Sequence, residues 1–146
     1  MDGAGWQQRV AMFAAALWWG SLTAIGFIAV PTLFARLATP AQAGSTAAVL
    51  FTVQSWVSLS CGVLLLFSSR SRDGQAGLGW ARGALGFVLA GVLMALLSEF
   101  AVAPHIVARD NLRLWHSVGS AMYLVQWICA GVTLWKVGSL RSAGLS

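Results

Sequence analysis

Charge is what this sequence has least of. Only 9% of its 146 residues are Asp, Glu, Lys or Arg, against about 25% in soluble domains, and 58% are apolar; a soluble fold is not expected. Catalytic signatures are missing as well. There is no glycine-rich phosphate loop with its Lys, no G-x-S-x-G elbow and no H-E-x-x-H helix, so hydrolase or nucleotide chemistry of the soluble kind has no support. Cysteine is scarce: Cys61 and Cys129 lie inside apolar runs without CxxC spacing, where a thiol acts as a small hydrophobe, and no disulfide framework is indicated. Their similar places in two apolar runs leave a contact between them open. The net charge of +5 is not a nucleic-acid footprint, because the nine basic residues stand singly between apolar stretches rather than in a patch.

What remains is four long apolar runs. Val10 to Val30 is long enough to cross about 30 Å of hydrocarbon as a helix, and longer than the h-region of a secretory signal. Ala41-Gln42-Ala43 imitates a cleavage site, but it lies past Arg36 and well beyond the run, so cleavage is not expected. Ala47 to Phe67 comes after a Pro- and Gly-containing turn. A polar Ser68 to Gly79 connection leads to the third run, Ala81 to Ala103, and Trp115 to Trp135 is the fourth. The sequence thus reads as an all-α, integral membrane four-helix bundle, one transmembrane domain over residues 1–146 with spans near 10–30, 47–67, 81–103 and 115–135. Too little chain is left over for a separate catalytic domain.

Lys and Arg set the orientation. Arg9, Arg70, Arg72, Arg82, Lys136 and Arg141 fall on the side of the termini, against Arg36, Arg109 and Arg113 on the other, which puts both termini in the cytoplasm and, for apolar helices in a bacterium, the protein in the inner membrane. Trp6, Trp80, Trp115 and Trp135 sit near the span ends, as in an interfacial aromatic belt.

The chain also repeats itself. Pro31-Thr32-Leu33-Phe34-Ala35-Arg36 and Pro104-His105-Ile106-Val107-Ala108-Arg109 share the pattern P-x-[LI]-x-A-R at an offset of 73 residues, each at the outer end of an odd-numbered span, with Phe27 matching Phe100. Val53-Gln54 and Val125-Gln126 match more weakly. The pattern predicts two duplicated helical hairpins in parallel repeat, with a pseudo-two-fold axis along the membrane normal. Pro31, Arg36, Pro104 and Arg109 are then either repeat-interface residues or helix stops with headgroup anchors.

Small residues at every fourth position mark helix contacts in membranes. Ala16, Gly20 and Ala24 form one such row, and Gly83, Gly91 and Ala95 another whose continuation reaches Glu99. Glu99 is therefore expected to face the bundle, either in a salt bridge with Arg36 or Arg109 or as a ligand or proton site, since a carboxylate in a span is costly unless paired, protonated or hydrated. His116, Ser120, Tyr123 and Trp127 recur on one stripe of the fourth span with Gln126 beside it, and Gln54, Ser58 and Cys61 on the second span, predicting a polar seam of Gln54, Ser58, Ser120, Tyr123 and Gln126. His105 and His116 lie near Glu99, and two imidazoles with a carboxylate suit zinc or copper. Their H-x10-H spacing matches no strong metal motif, however, and loop hydrogen bonding is the alternative.

Trp19-Gly20, the Phe27 to Phe34 stretch around Pro31, Glu99, Pro104, Arg109 and His116 together resemble a bacterial domain-of-unknown-function family related to eukaryotic transmembrane protein 205, over about Val10 to Trp135. The resemblance implies a four-helix membrane protein and carries no established activity. A more distant likeness, to four-helix haem-linked membrane proteins such as the bacterial membrane protoporphyrinogen oxidase and to membrane domains of copper-resistance proteins, implies histidines within the helices, which the first span lacks.

These residues together point to a non-enzymatic bundle with an outward-facing polar cleft around Glu99, His105, Arg109 and His116 that binds a ligand, ion or partner. No cofactor is expected, haem or copper being the alternative. A redox protein, a small proton-coupled transporter, and a homo-oligomeric or structural subunit of a larger membrane complex are the rival functions.

Overall fold

The structure, a computed structural model, describes residues 3–70 and 79–143. The connection expected at Ser68 to Gly79 lies outside the described residues from 71 to 78. Helix α1 (Gly3–Thr23) passes through a π-turn (Ala24–Ala29) into α2 (Val30–Arg36); α3 (Pro40–Ser68) comes next. Helix α4 (Gly79–Leu97) passes through a second π-turn (Ser98–Val102) into α5 (Ala103–Val107), and α6 (Leu112–Ala143) ends the described chain. The described residues contain no strand, and the chain is an all-α, multi-pass membrane bundle. Its four apolar helices, Gly5–Arg36, Pro40–Ser68, Trp80–Val107 and Leu112–Ser139, hold 28 residues or more each. At 1.5 Å per residue the shortest is about 42 Å long, enough for the hydrocarbon and both headgroup zones. The runs of apolar residues thus lie inside longer helices that continue into the flanking polar segments.

All three prolines lie at one end of the bundle, Pro31, Pro40 and Pro104, and each shapes the helix locally. Pro40 opens α3 behind Thr39, whose Oγ1 accepts from the Gln42 N–H at 3.2 Å, a side-chain cap with proline at the first helical position. Pro31 and Pro104 stand inside the first and third spans. A proline there removes one N–H and its ring crowds the carbonyl four residues back. Both spans relieve this by widening just before the proline: Val30 N–H bonds the Ile25 carbonyl, and Ala103 N–H bonds the Ser98 carbonyl, five residues back in each case. The connection from α5 to α6 turns through Arg109 (φ 57°) and Asn111 (φ 34°), with Asp110 N–H closing on the His105 carbonyl at 3.0 Å.

Packing differs between the two ends. Toward the termini, Ala11, Ala14, Ala15, Trp18 and Leu22 of α1 meet Cys61 and Leu65 of α3, Trp80, Ala81, Ala84 and Val88 of α4 and Ala130 and Val137 of α6 in one buried core. Trp18, fully buried, reaches the backbone of α4 because Gly91 has no side chain: a Cβ there would stand 2.6 Å from Trp18 Cη2. Toward the prolines, neither the first π-turn nor α2 or α5 buries any side chain.

Several expectations are corrected. Ala16, Gly20 and Ala24 face outward and are exposed, and α1 presents Ala11, Ala15, Trp18 and Leu22 to the bundle instead. Of the other small-residue row, Gly91 and Ala95 are buried but Gly83 is exposed. Trp80 belongs to the core, not to an interfacial belt, whereas Trp6 and Trp135 are 70% and 75% exposed. Cys61 and Cys129 are both free and buried, in keeping with the reading of them as small hydrophobes without a disulfide framework.

Candidate functional site

Two polar assemblies lie within the helices. The first is a seam at mid-bundle. Gln54 Nε2 donates to Ser21 Oγ at 3.0 Å and to Ser58 Oγ at 3.2 Å, and Gln126 Nε2 donates to the same Ser58 oxygen at 2.7 Å. Ser21 in turn gives its proton to the Trp18 carbonyl at 3.1 Å. Helices α1, α3 and α6 are thereby tied through buried amides and hydroxyls, the arrangement by which membrane helices gain specificity when hydrophobic contrast is absent. Ser21 escapes a reading of the sequence because a serine between Gly20 and Leu22 lies on no small-residue row.

Beside it, Tyr123 enters the first π-turn. Its hydroxyl donates to the Leu22 carbonyl at 2.7 Å, a side chain bonded to the helix ladder just ahead of the π-turn. Only glycine permits this approach, because a Cβ at Gly26 would overlap the Tyr123 ring. Trp127 Nε1 adds a bond to Thr23 Oγ1 at 2.9 Å, and its ring lies against Trp19 and Phe27, with centroids 5.8 and 5.4 Å away. Ser120 and His116, on the same stripe of α6 one and two turns nearer the prolines, are exposed and outside the seam.

The second assembly is at the second π-turn. Glu99, half-buried, accepts a hydrogen bond from Thr52 Oγ1 of α3 at 3.2 Å. Neither Arg36 nor Arg109 pairs with it: both are exposed, and the contact of salt-bridge length among the described residues joins His105 Nδ1 and Asp110 Oδ2 at 3.5 Å. The expected bridge from Glu99 to an arginine is therefore corrected. Arg109 ends α5 in a left-handed turn, and Arg36 closes α2 at the edge of the fold. His105 also stacks on Trp115, with ring centroids 4.1 Å apart and planes 3° from parallel. One histidine of the pair is thus engaged in the turn, the other stands on the surface, and among the described residues no three His, Cys, Asp or Glu side chains converge as metal ligands.

The arrangement offers a carboxylate at the loosely packed end of the bundle, held by one neutral hydroxyl and facing no cation among the described residues. That combination can accept hydrogen bonds from, or balance the charge of, a donor or cation entering from the proline end. A family model described as a domain of unknown function, DUF4149, matches residues 13–114, which takes in most of the first span, the second and third spans and both π-turns. No curated protein and no solved structure matches.

Proposed function

The chain belongs to the DUF4149 family, and from that premise we propose that it is a non-enzymatic ligand- or ion-binding bundle of the bacterial inner membrane, with a cleft at its proline end and Glu99 as the principal contact. The observation that carries this reading is the Glu99–Thr52 pair. An ionised carboxylate within a span is expensive, a single bond from a neutral hydroxyl at 3.2 Å offsets little of that cost, and no arginine reaches it among the described residues. A cation, or a small molecule bearing N–H or O–H donors, supplies what is missing. Arg109, His105 and His116 stand on the rim of the same end, and by the count of basic residues that end faces out of the cell. The matched π-turns ahead of Pro31 and Pro104 support the duplicated hairpin, with the cleft between the two copies. Kinship with eukaryotic transmembrane protein 205 belongs to the same proposal, on the residues quoted for it.

The test is thermal unfolding of purified protein against a panel of sodium, potassium, ammonium and small alkylammonium salts at constant ionic strength, wild type beside Glu99→Gln. A saturable rise in the unfolding temperature for one of these cations, absent in the variant, is the expected result, since a ligand that binds only the folded form stabilises it by mass action. Equal shifts in both proteins, or none in either, would sink the reading.

A second surface bears on partners. Ala16, Gly20 and Ala24 are exposed on the outer face of the first span, and a Cβ at Gly20 meets nothing within 4 Å. If the protein is homo-oligomeric, this is the face on which a second copy packs closely.

A further inference from the structure

The seam at mid-bundle does not balance its own hydrogen bonds. The Gln54 side chain is 2% exposed, and its amide orientation is fixed by Ser21: that hydroxyl spends its proton on the Trp18 carbonyl, so it needs a donor, and Gln54 Nε2 must face it. Both amide protons are then used, on Ser21 and Ser58. Gln54 Oε1 is left buried with no protein partner, and so is Trp18 Nε1. One is an acceptor, the other a donor. Gln54 bonds Ser21, and Ser21 bonds the Trp18 backbone carbonyl, so the two residues are neighbours along one chain of hydrogen bonds. Ser58, which accepts from both Gln54 and Gln126, still has its own proton to give.

An orphaned buried polar group loses the hydrogen bonds it had in water, and in hydrocarbon neither lipid nor bulk solvent can satisfy it. Internal waters resolve this situation in folded proteins, typically with two to four hydrogen bonds to groups otherwise unsatisfied. We propose that the centre of the bundle binds an internal water that accepts from Trp18 Nε1 and donates to Gln54 Oε1, with the Ser58 hydroxyl as its third partner. The ligand is water itself, and the site is a structural link between α1 and α3, independent of what the outer cleft takes.

Solid-state NMR of the protein in bilayers with deuterated acyl chains tests it, by polarisation transfer from water to the Trp18 indole N–H, assigned with Trp18→Phe. The expected result is transfer to this buried indole in wild type and in Glu99→Gln, lost in Gln54→Met. Ser58→Ala, a smaller change, weakens it and gives the answer should Gln54→Met fail to insert. No transfer in wild type overturns the proposal. So does transfer that persists unchanged in both seam variants. Because Glu99→Gln leaves the signal intact, failure of the cleft reading and failure of this one are separately visible.

Discussion

The half of the bundle near the termini and the half near the prolines are built from the same apolar helices and held by different means. The first is a close-packed core in which aromatic rings rest on glycines, with Trp18 on Gly91 as its centre. The second has π-turns in place of regular α ladder, hydroxyls and amides in place of methyl groups, and few buried side chains. In a membrane, where lipid is as apolar as leucine, shape holds the first half together and hydrogen bonding the second. A polar ligand can therefore be received at the proline end without dismantling the packing that keeps the bundle together.

The contrast can be broken most severely at its apolar centre. Trp18→Ala should cost about 3–5 kcal/mol of folding free energy, read as the shift in a denaturant titration in detergent, while Phe27→Ala in the proline half, where the ring is 49% exposed, should cost far less. Equal losses would mean that the two halves are packed alike. Gly26→Val comes next. It forces the Tyr123 ring out of the first π-turn and should cost about 1–3 kcal/mol as an overpacking change, with hydrogen exchange rising in residues 24–36 and not in the core. Tyr123→Phe keeps the ring and removes the hydroxyl. A loss of about 1 kcal/mol is expected, and no measurable change would show that the Leu22 carbonyl finds another donor. The smallest effect belongs to the outward row: Ala16→Leu should leave monomer stability within about 0.5 kcal/mol, and any larger change, or a shift in oligomeric state on gel filtration, assigns that face to a helix contact instead of lipid.

The bundle itself was legible in the sequence, because about 20 apolar residues without charge leave the chain little choice in a membrane. Which face turns inward was not. Ala16-Gly20-Ala24 and Ala11-Ala15-Trp18-Leu22 are both regular rows on α1, and where both faces are apolar no hydropathy contrast separates them. The tryptophan decided it, by filling the space that Gly91 leaves. The site was legible in part. Gln54, Ser58 and Gln126 do come together and Glu99 does turn toward α3, but the arginine partners expected for Glu99 are elsewhere. A π-turn carries one residue more than the α turn it replaces and rotates the downstream helix by about 100° relative to an unbroken one. Helical spacing carried past Ser98 or Ala24 therefore points side chains the wrong way. Pro31 and Pro104 were visible; the widening they impose upstream was not.

The Tyr123 wedge has a consequence for how the protein is made. The Leu22 carbonyl lies 101 residues before the phenol that satisfies it, and at about 5–20 residues per second of synthesis the first span waits on the order of 5–20 seconds for its closing group. Trp127 reaches back a comparable distance to Thr23, 104 residues, and Gln8 waits 129 residues for the Val137 carbonyl. The earliest helix to enter the bilayer is thus the last to be completed, and ribosome-bound chains stopped short of α6 should expose its unfinished turn to whatever insertion machinery is at hand.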